Sequence, residues 1–204
     1  MRKMIMQRLV ALTAVSVLVG LLAPSGASAV TRSQAPLRLR TGTTTLTTAP
    51  NLATTLLGAG IVPFATEPGQ SSLTFPRSGP ALKLSFPVSG GDISLRPLRG
   101  VIRHNGGLLL VNVGNGKSAQ VDAFVVDLRA RTLTARVVGT TTRVPVFSLD
   151  LSRASIAVRG NLITLSRVGL RLTGVAATAL NTGLSTTAFA AGQLFGTAGS
   201  QLRR

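Results

Sequence analysis

The feature that most limits what this chain can become is its punctuation. From residue 41 onward, short runs rich in Val, Leu, Ile and Thr are broken by Gly, Pro, Asn or Asp at intervals of roughly ten residues. Leu82, Leu84, Phe86 and Val88 alternate with Lys83, Ser85 and Pro87, the pattern of a half-buried strand. Leu108 to Val113 is apolar save for Asn112 and reads as a central strand, followed by a turn at Gly114-Asn115-Gly116-Lys117. Residues 121–138 read as a hairpin turning near Arg129-Ala130-Arg131, and further strands are expected at 144–151, 154–159, 162–166 and 168–173. Two stretches have helical spacing instead. Pro50 to Leu57 places Pro at a first helical position, and Val175 to Asn181 ends before Gly183. The expectation is an all-β chain: an antiparallel β-sandwich or open barrel with two short helices, over residues 41–198. Residues 30–40 read as a mobile leader. Phe189 and Phe195 should dock on the core, and residues 199–204 read as a frayed tail.

Ahead of this lies a segment of another kind. Arg2, Lys3 and Arg8 precede the uncharged apolar run Leu9–Leu22, and Pro24-Ser25-Gly26-Ala27-Ser28-Ala29 ends in small residues at the two positions a signal peptidase reads. The apolar run is shorter than the roughly 20 residues of a membrane-spanning helix, so residues 1–29 read as a signal peptide cleaved after Ala29. The chain beyond it has no transmembrane segment by the same criterion. The expected location is secreted or associated with the cell envelope.

Composition then narrows the partners. The formal charge is +17, of which three charges belong to the signal, and only Glu67, Asp92, Asp122, Asp127 and Asp150 oppose it. Outside the cytoplasm such a surface attracts anionic cell-wall polymers or a membrane surface. Nucleic acid is not expected, because Trp and Tyr are absent and the arginines are scattered singly along the chain. There is no Cys, so disulfides and thiolate metal sites are excluded.

Reactive groups are few. A Ser-His-Asp triad would have to be built on His104, the single histidine, and no Gly-x-Ser-x-Gly elbow surrounds any serine. Asp122 and Asp127, five apart, point to opposite faces of an unbroken strand and so do not pair for acid–base work. The chain reads as no enzyme and as needing no cofactor of its own, with a hydrolase on His104 as the weakest alternative. One segment stands apart: Gly100-Val101-Ile102-Arg103-His104-Asn105-Gly106-Gly107-Leu108. Arg103, His104, Asn105, Gly106 and Gly107 are the candidate ligand contacts, at a strand edge where the backbone comes close to something. The alternative is structural: His104 bonds a backbone carbonyl, and the glycines supply positive φ.

The order of five short motifs is similar to a known family. Gly100…His104-x-Gly106-Gly107-Leu108 is followed by Leu133-Thr134-Ala135-Arg136-Val137 and by Val146-Phe147-Ser148-Leu149-Asp150-Leu151. Leu170-x-Leu172-Thr173…Ala179-Leu180-Asn181 and Phe189-x-Ala191-Gly192 complete it. Over residues 95–198 this resembles the HtaA-type domain of secreted and cell-surface proteins of actinobacteria. The resemblance implies an all-β fold with short helices and, as in the family's haem-uptake members, a pocket for haem ligated through a tyrosine that a histidine supports. His104 falls on the position of such a histidine. The chain departs from the pattern in having no tyrosine, which leaves a direct His104–iron bond as the route the resemblance would imply.

Overall fold

A computed structural model describes residues 35–77 and 79–204. The signal expected over residues 1–29 and the start of the expected leader lie outside these residues.

Thirteen strands form one antiparallel system, and eight of them close on themselves. Going round the ring, β2 (Thr41–Thr48) pairs β13 (Leu194–Arg203), which pairs β12 (Leu162–Leu172). Next come β10 (Arg143–Asp150), β9 (Thr132–Val137) and β8 (Ser118–Asp127). Then β8 pairs β6 (Leu98–His104), β6 pairs β5 (Ala81–Leu95), and β5 returns to β2. The all-β antiparallel expectation with two short helices is met, while the sandwich or open barrel gives way to a closed barrel. The remaining strands are additions to the ring. They are β1 (Leu37–Leu39) and β4 (Gln70–Thr74) on β5, β11 (Ser155–Arg159) on β12, β7 (Gly107–Asn112) on β8, and β3 (Ile61–Thr66) on β7. The apolar run at 108–113 is therefore a strand beside the ring rather than its centre.

Closure depends on two strands that change partners along their length. β5 pairs β2 and β4 through residues 81–87, then β6 from Val88 and β1 from Gly91, across Gly90 and Gly91, whose φ values of 146° and 141° are open to glycine. A Cβ at Gly91 would run into the Val101 carbonyl of β6. β8 turns at Ala123 (φ 49°), where a bulge separates its pairing with β7 from its pairing with β6. Such bulges sharpen the bend that a small barrel needs.

Both chain ends correct the sequence reading. Leu37–Leu39, placed in the leader, pair Ile93–Gly91, and the Arg40 N–H donates to the Arg203 carbonyl at 2.8 Å. The supposed tail is the last half of β13, bonded to β2 on one side and β12 on the other. Ala198, Ser200 and Leu202 alternate inward, with Leu202 fully buried. Because only alternate side chains bury, the segment's average composition reads as small and polar. The two strands expected at 162–166 and 168–173 are one strand, interrupted by a bulge at Arg167 (φ 58°).

Inward side chains fill the ring. Leu84, Phe86, Ile102, Phe147, Leu165 and Leu170 all belong to the buried core, and Phe86 meets Phe124 edge-on at 5.1 Å between ring centres. Phe195 packs on Phe147 at 5.0 Å, and Phe189 is also buried, as expected of both. The helices α1 (Leu52–Gly58) and α2 (Gly174–Leu184) follow β2 and β12, which run toward the same end of the barrel. Pro50 lies outside α1; the residue before the helix, Asn51, is left-handed at φ 69°. Thr173 caps α2 by accepting from the Ala176 N–H at 3.2 Å while its hydroxyl donates to the Pro145 carbonyl at 2.6 Å. No helix of the described residues is long and apolar enough to cross a membrane.

Candidate functional site

Strand alternation decides where the singled-out segment points. β6 ends at His104, and Ile102 and His104 face the barrel interior while Arg103 faces solvent. His104 is 5% exposed. Its Nε2 lies 2.7 Å from Thr44 Oγ1, which lies 2.8 Å from Ser200 Oγ. These three polar side chains come from β6, β2 and β13, which β5 joins into one run of neighbouring strands. The His104 Nδ1 is buried with no hydrogen-bond partner of good geometry. Burial holds the imidazole pKa down at about 4, and the Phe124 backbone beside it offsets only part of that. The ring is therefore neutral at pH 7, and its side-chain partner is the Thr44 hydroxyl rather than the orienting carboxylate a hydrolytic triad requires.

Asn105 is exposed, and its N–H donates to the Pro87 carbonyl at 3.0 Å. Gly106 takes φ 88° where a Cβ would press on the Thr66 carbonyl at 2.9 Å, and a Cβ on Gly107 would collide with the Val121 carbonyl. Both glycines thus serve close backbone approach. The five candidate contacts split: Arg103 outward, His104 inward, Gly107 between strands. Asn105 and Gly106 border a shallow surface depression of about 450 Å³ beside Glu67, Asp122 and Arg136. There Arg136 Nε and Nη2 each donate to Asp122 at 2.8 Å, and this bidentate pair lowers the Asp122 pKa. The bulge at Ala123 also corrects the expectation for Asp122 and Asp127. They pair Arg136 and Thr132, which lie on one face of β9, but four residues or about 13 Å apart, too far to share a proton.

The haem that the resemblance implies does not fit the interior void that His104 faces, although His104 also borders the surface depression beside Asn105 and Gly106. The void bordered by Thr44, His104 and Ser200 measures about 50 Å³, room for a few waters, against roughly 300–1,000 Å³ for an organic ligand pocket. Nε2 is already committed to Thr44, and no tyrosine exists to take its place. Among the described residues no cluster of three or more His, Cys, Asp or Glu is placed to hold a metal ion.

Two further surfaces were not legible in the sequence. At the end of the barrel that carries the helices, an apolar cleft of about 460 Å³ separates α2 from the inner faces of β7–β10. At the opposite end the turns gather arginine. Arg96 lies in the β5–β6 turn, Arg129 and Arg131 in the β8–β9 turn, and Arg153 and Arg159 at either end of β11. Arg38 lies within β1 and Arg40 directly after it, and Arg203 and Arg204 lie beside them. All nine are exposed. Asp92, Asp127 and Asp150 share this end, but Asp127 accepts from the backbone N–H groups of Arg129 and Ala130, and Asp150 from Ser152. The Asp150 carboxyl is held low in pKa by those Ser152 bonds. Of the two ion pairs among the described residues, neither uses one of the nine arginines.

An eight-stranded antiparallel barrel with a side-chain-filled interior and two helices over one end defines a class of small β-barrel domain. Within that class the chain has an HtaA-like fold. It is similar to the C-terminal domain of HtaA from Corynebacterium glutamicum, with a TM-score of 0.56 at 12% identity over 82% of this chain and 98% of that one. A domain-swapped dimer of the H434A variant of the same domain gives a TM-score of 0.49 at 13% identity, covering 76% of this chain and 91% of that one. No protein-family model and no curated protein matches the chain. At this identity the likeness is one of fold.

Proposed function

We propose that the chain is an exported, non-enzymatic binding domain held at the cell envelope by the arginine-rich end of its barrel. The observation that carries this is the convergence of nine exposed arginines from well-separated parts of the sequence on one end. The carboxylates there are partly committed to turn backbone. Rigid turns present the guanidinium groups as a fixed array, suited to the repeating phosphates or carboxylates of wall polymers. Surface attraction of this kind is screened, with a Debye length of about 10 Å at 0.1 M salt and about 3 Å at 1 M. Purified chain lacking residues 1–29 should therefore co-sediment with isolated cell walls at 0.1 M salt and be released at 1 M. Replacing Arg129, Arg131, Arg153 and Arg159 by Gln should weaken retention at least tenfold, whereas the same number of changes at the helix end should not. Retention that is indifferent to salt and to the four substitutions would remove the idea.

A second reading, capture of a small ligand, is supported by the apolar cleft beneath α2. It does not involve His104.

A further inference from the structure

The cleft beneath α2 is an apolar opening of about 460 Å³, and its shape follows from the helix sequence. α2 turns Ala176, Ala179, Leu180 and Gly183 toward β8 and β10. Small side chains at three of those four positions hold the helix off the sheet without filling the gap. The floor is apolar, with Leu110, Val121, Val137 and Val146 from four successive strands. At about 460 Å³ the cleft falls within the range that accommodates an organic ligand. Its rim is apolar on one side, where Val175 is 58% and Val138 41% exposed.

The other rim carries a cation. Lys117 precedes Ser118, which lines the cleft, and its Nζ donates to Ser185 Oγ at 2.6 Å, two residues beyond the lining Gly183. Neither ion pair among the described residues involves Lys117. Ser118 and Gln120 are the polar side chains of the lining, and neither is ionisable. An apolar cleft with an ammonium next to its lining matches a ligand with an apolar tail and one anionic head.

We propose that the cleft binds a long-chain fatty acid, its alkyl tail between α2 and the strands and its carboxylate at Lys117 and Ser185. This inference rests on the small-ligand reading and gives it a site and a ligand class. Burying methylene groups against Leu and Val side chains drives the binding, and the charge-assisted contact at Lys117 selects acids over alcohols.

Titration of the purified chain lacking residues 1–29 with the fluorescent fatty acid cis-parinaric acid tests it. Saturable enhancement with one site per chain is expected, reversed by palmitate. A Cβ at Gly183 meets the Ala119 Cβ at 4.0 Å, so a larger side chain there enters the cleft. Gly183→Leu and, separately, Ala179→Phe should each weaken binding at least tenfold while the circular dichroism stays that of the parent. Lys117→Ala should weaken palmitate on the order of tenfold and leave hexadecanol unchanged. Equal losses for acid and alcohol, or indifference to both cleft-filling variants, would overturn the proposal. Haemin or hexadecanol binding in a Gly183→Leu-sensitive way without any fatty acid would overturn the ligand class and leave the small-ligand reading standing. Binding of none of these probes would remove both.

Discussion

His104 shows how far a residue can sit from the role its neighbours suggest. An imidazole bonded to a single hydroxyl in an apolar interior is stable there only while neutral. Its pKa is near 4 in the fold against 6.5 when exposed, so the unfolded chain binds the extra proton between those values. The contribution is complete above pH 6.5 and is lost as the pH falls toward 4, an effect of roughly 3 kcal/mol. Urea unfolding at pH 7 and pH 4.5 should show this loss, and His104→Gln should flatten it. Matching pH dependence in the two proteins would place the titration elsewhere. The sequence marked the segment as unusual because its one histidine sits among glycines. Which way the side chain faces depends on the register between β5 and β6, which no local pattern states.

Among the elements, glycines give the sharpest contrast. Gly100 in β6 holds φ 121°, and a Cβ there would collide with the Asp92 carbonyl of β5. Gly100→Ala should cost at least about 2 kcal/mol, combining backbone strain with a contact that cannot relax. Gly58, the last residue of α1, has nothing within 4 Å of a Cβ and no positive φ. Gly58→Ala should stabilise the chain by about 0.5 kcal/mol. Chemical denaturation midpoints of the two variants, moving in opposite directions, check both. Most elements were legible from alternation, including the 121–138 hairpin and both helices. The bulges at Ala123 and Arg167 were not, since neither residue is a glycine. They nonetheless decide where β8 changes partner and whether Asp122 and Asp127 share a face.

For the whole molecule, a chain of alternating strands says that a sheet forms but not whether its edges meet. Closure here comes from β6 bridging β5 and β8 through three residue pairs, Val101–Asp127 to Arg103–Val125. The same limitation hid the arginine-rich end, because residues from Arg38 to Arg204 become neighbours only after the strands align. The cleft beneath α2 was equally out of reach, being a property of the gap rather than of any residue. A last consequence belongs to the seam between β2 and β13, where Thr41–Thr48 bond Arg203–Gly196. The first strand of the ring bonds along the last one, so the barrel cannot shut until β13 is available to β2. Ending the chain after Thr197 removes six of that seam's eight residue pairs and should leave a product that protease digests at least tenfold faster than the intact chain. A truncated chain as resistant as the parent would show that the ring holds without its final strand. The ring is thereby a structure that only the whole span from β2 to β13 can complete.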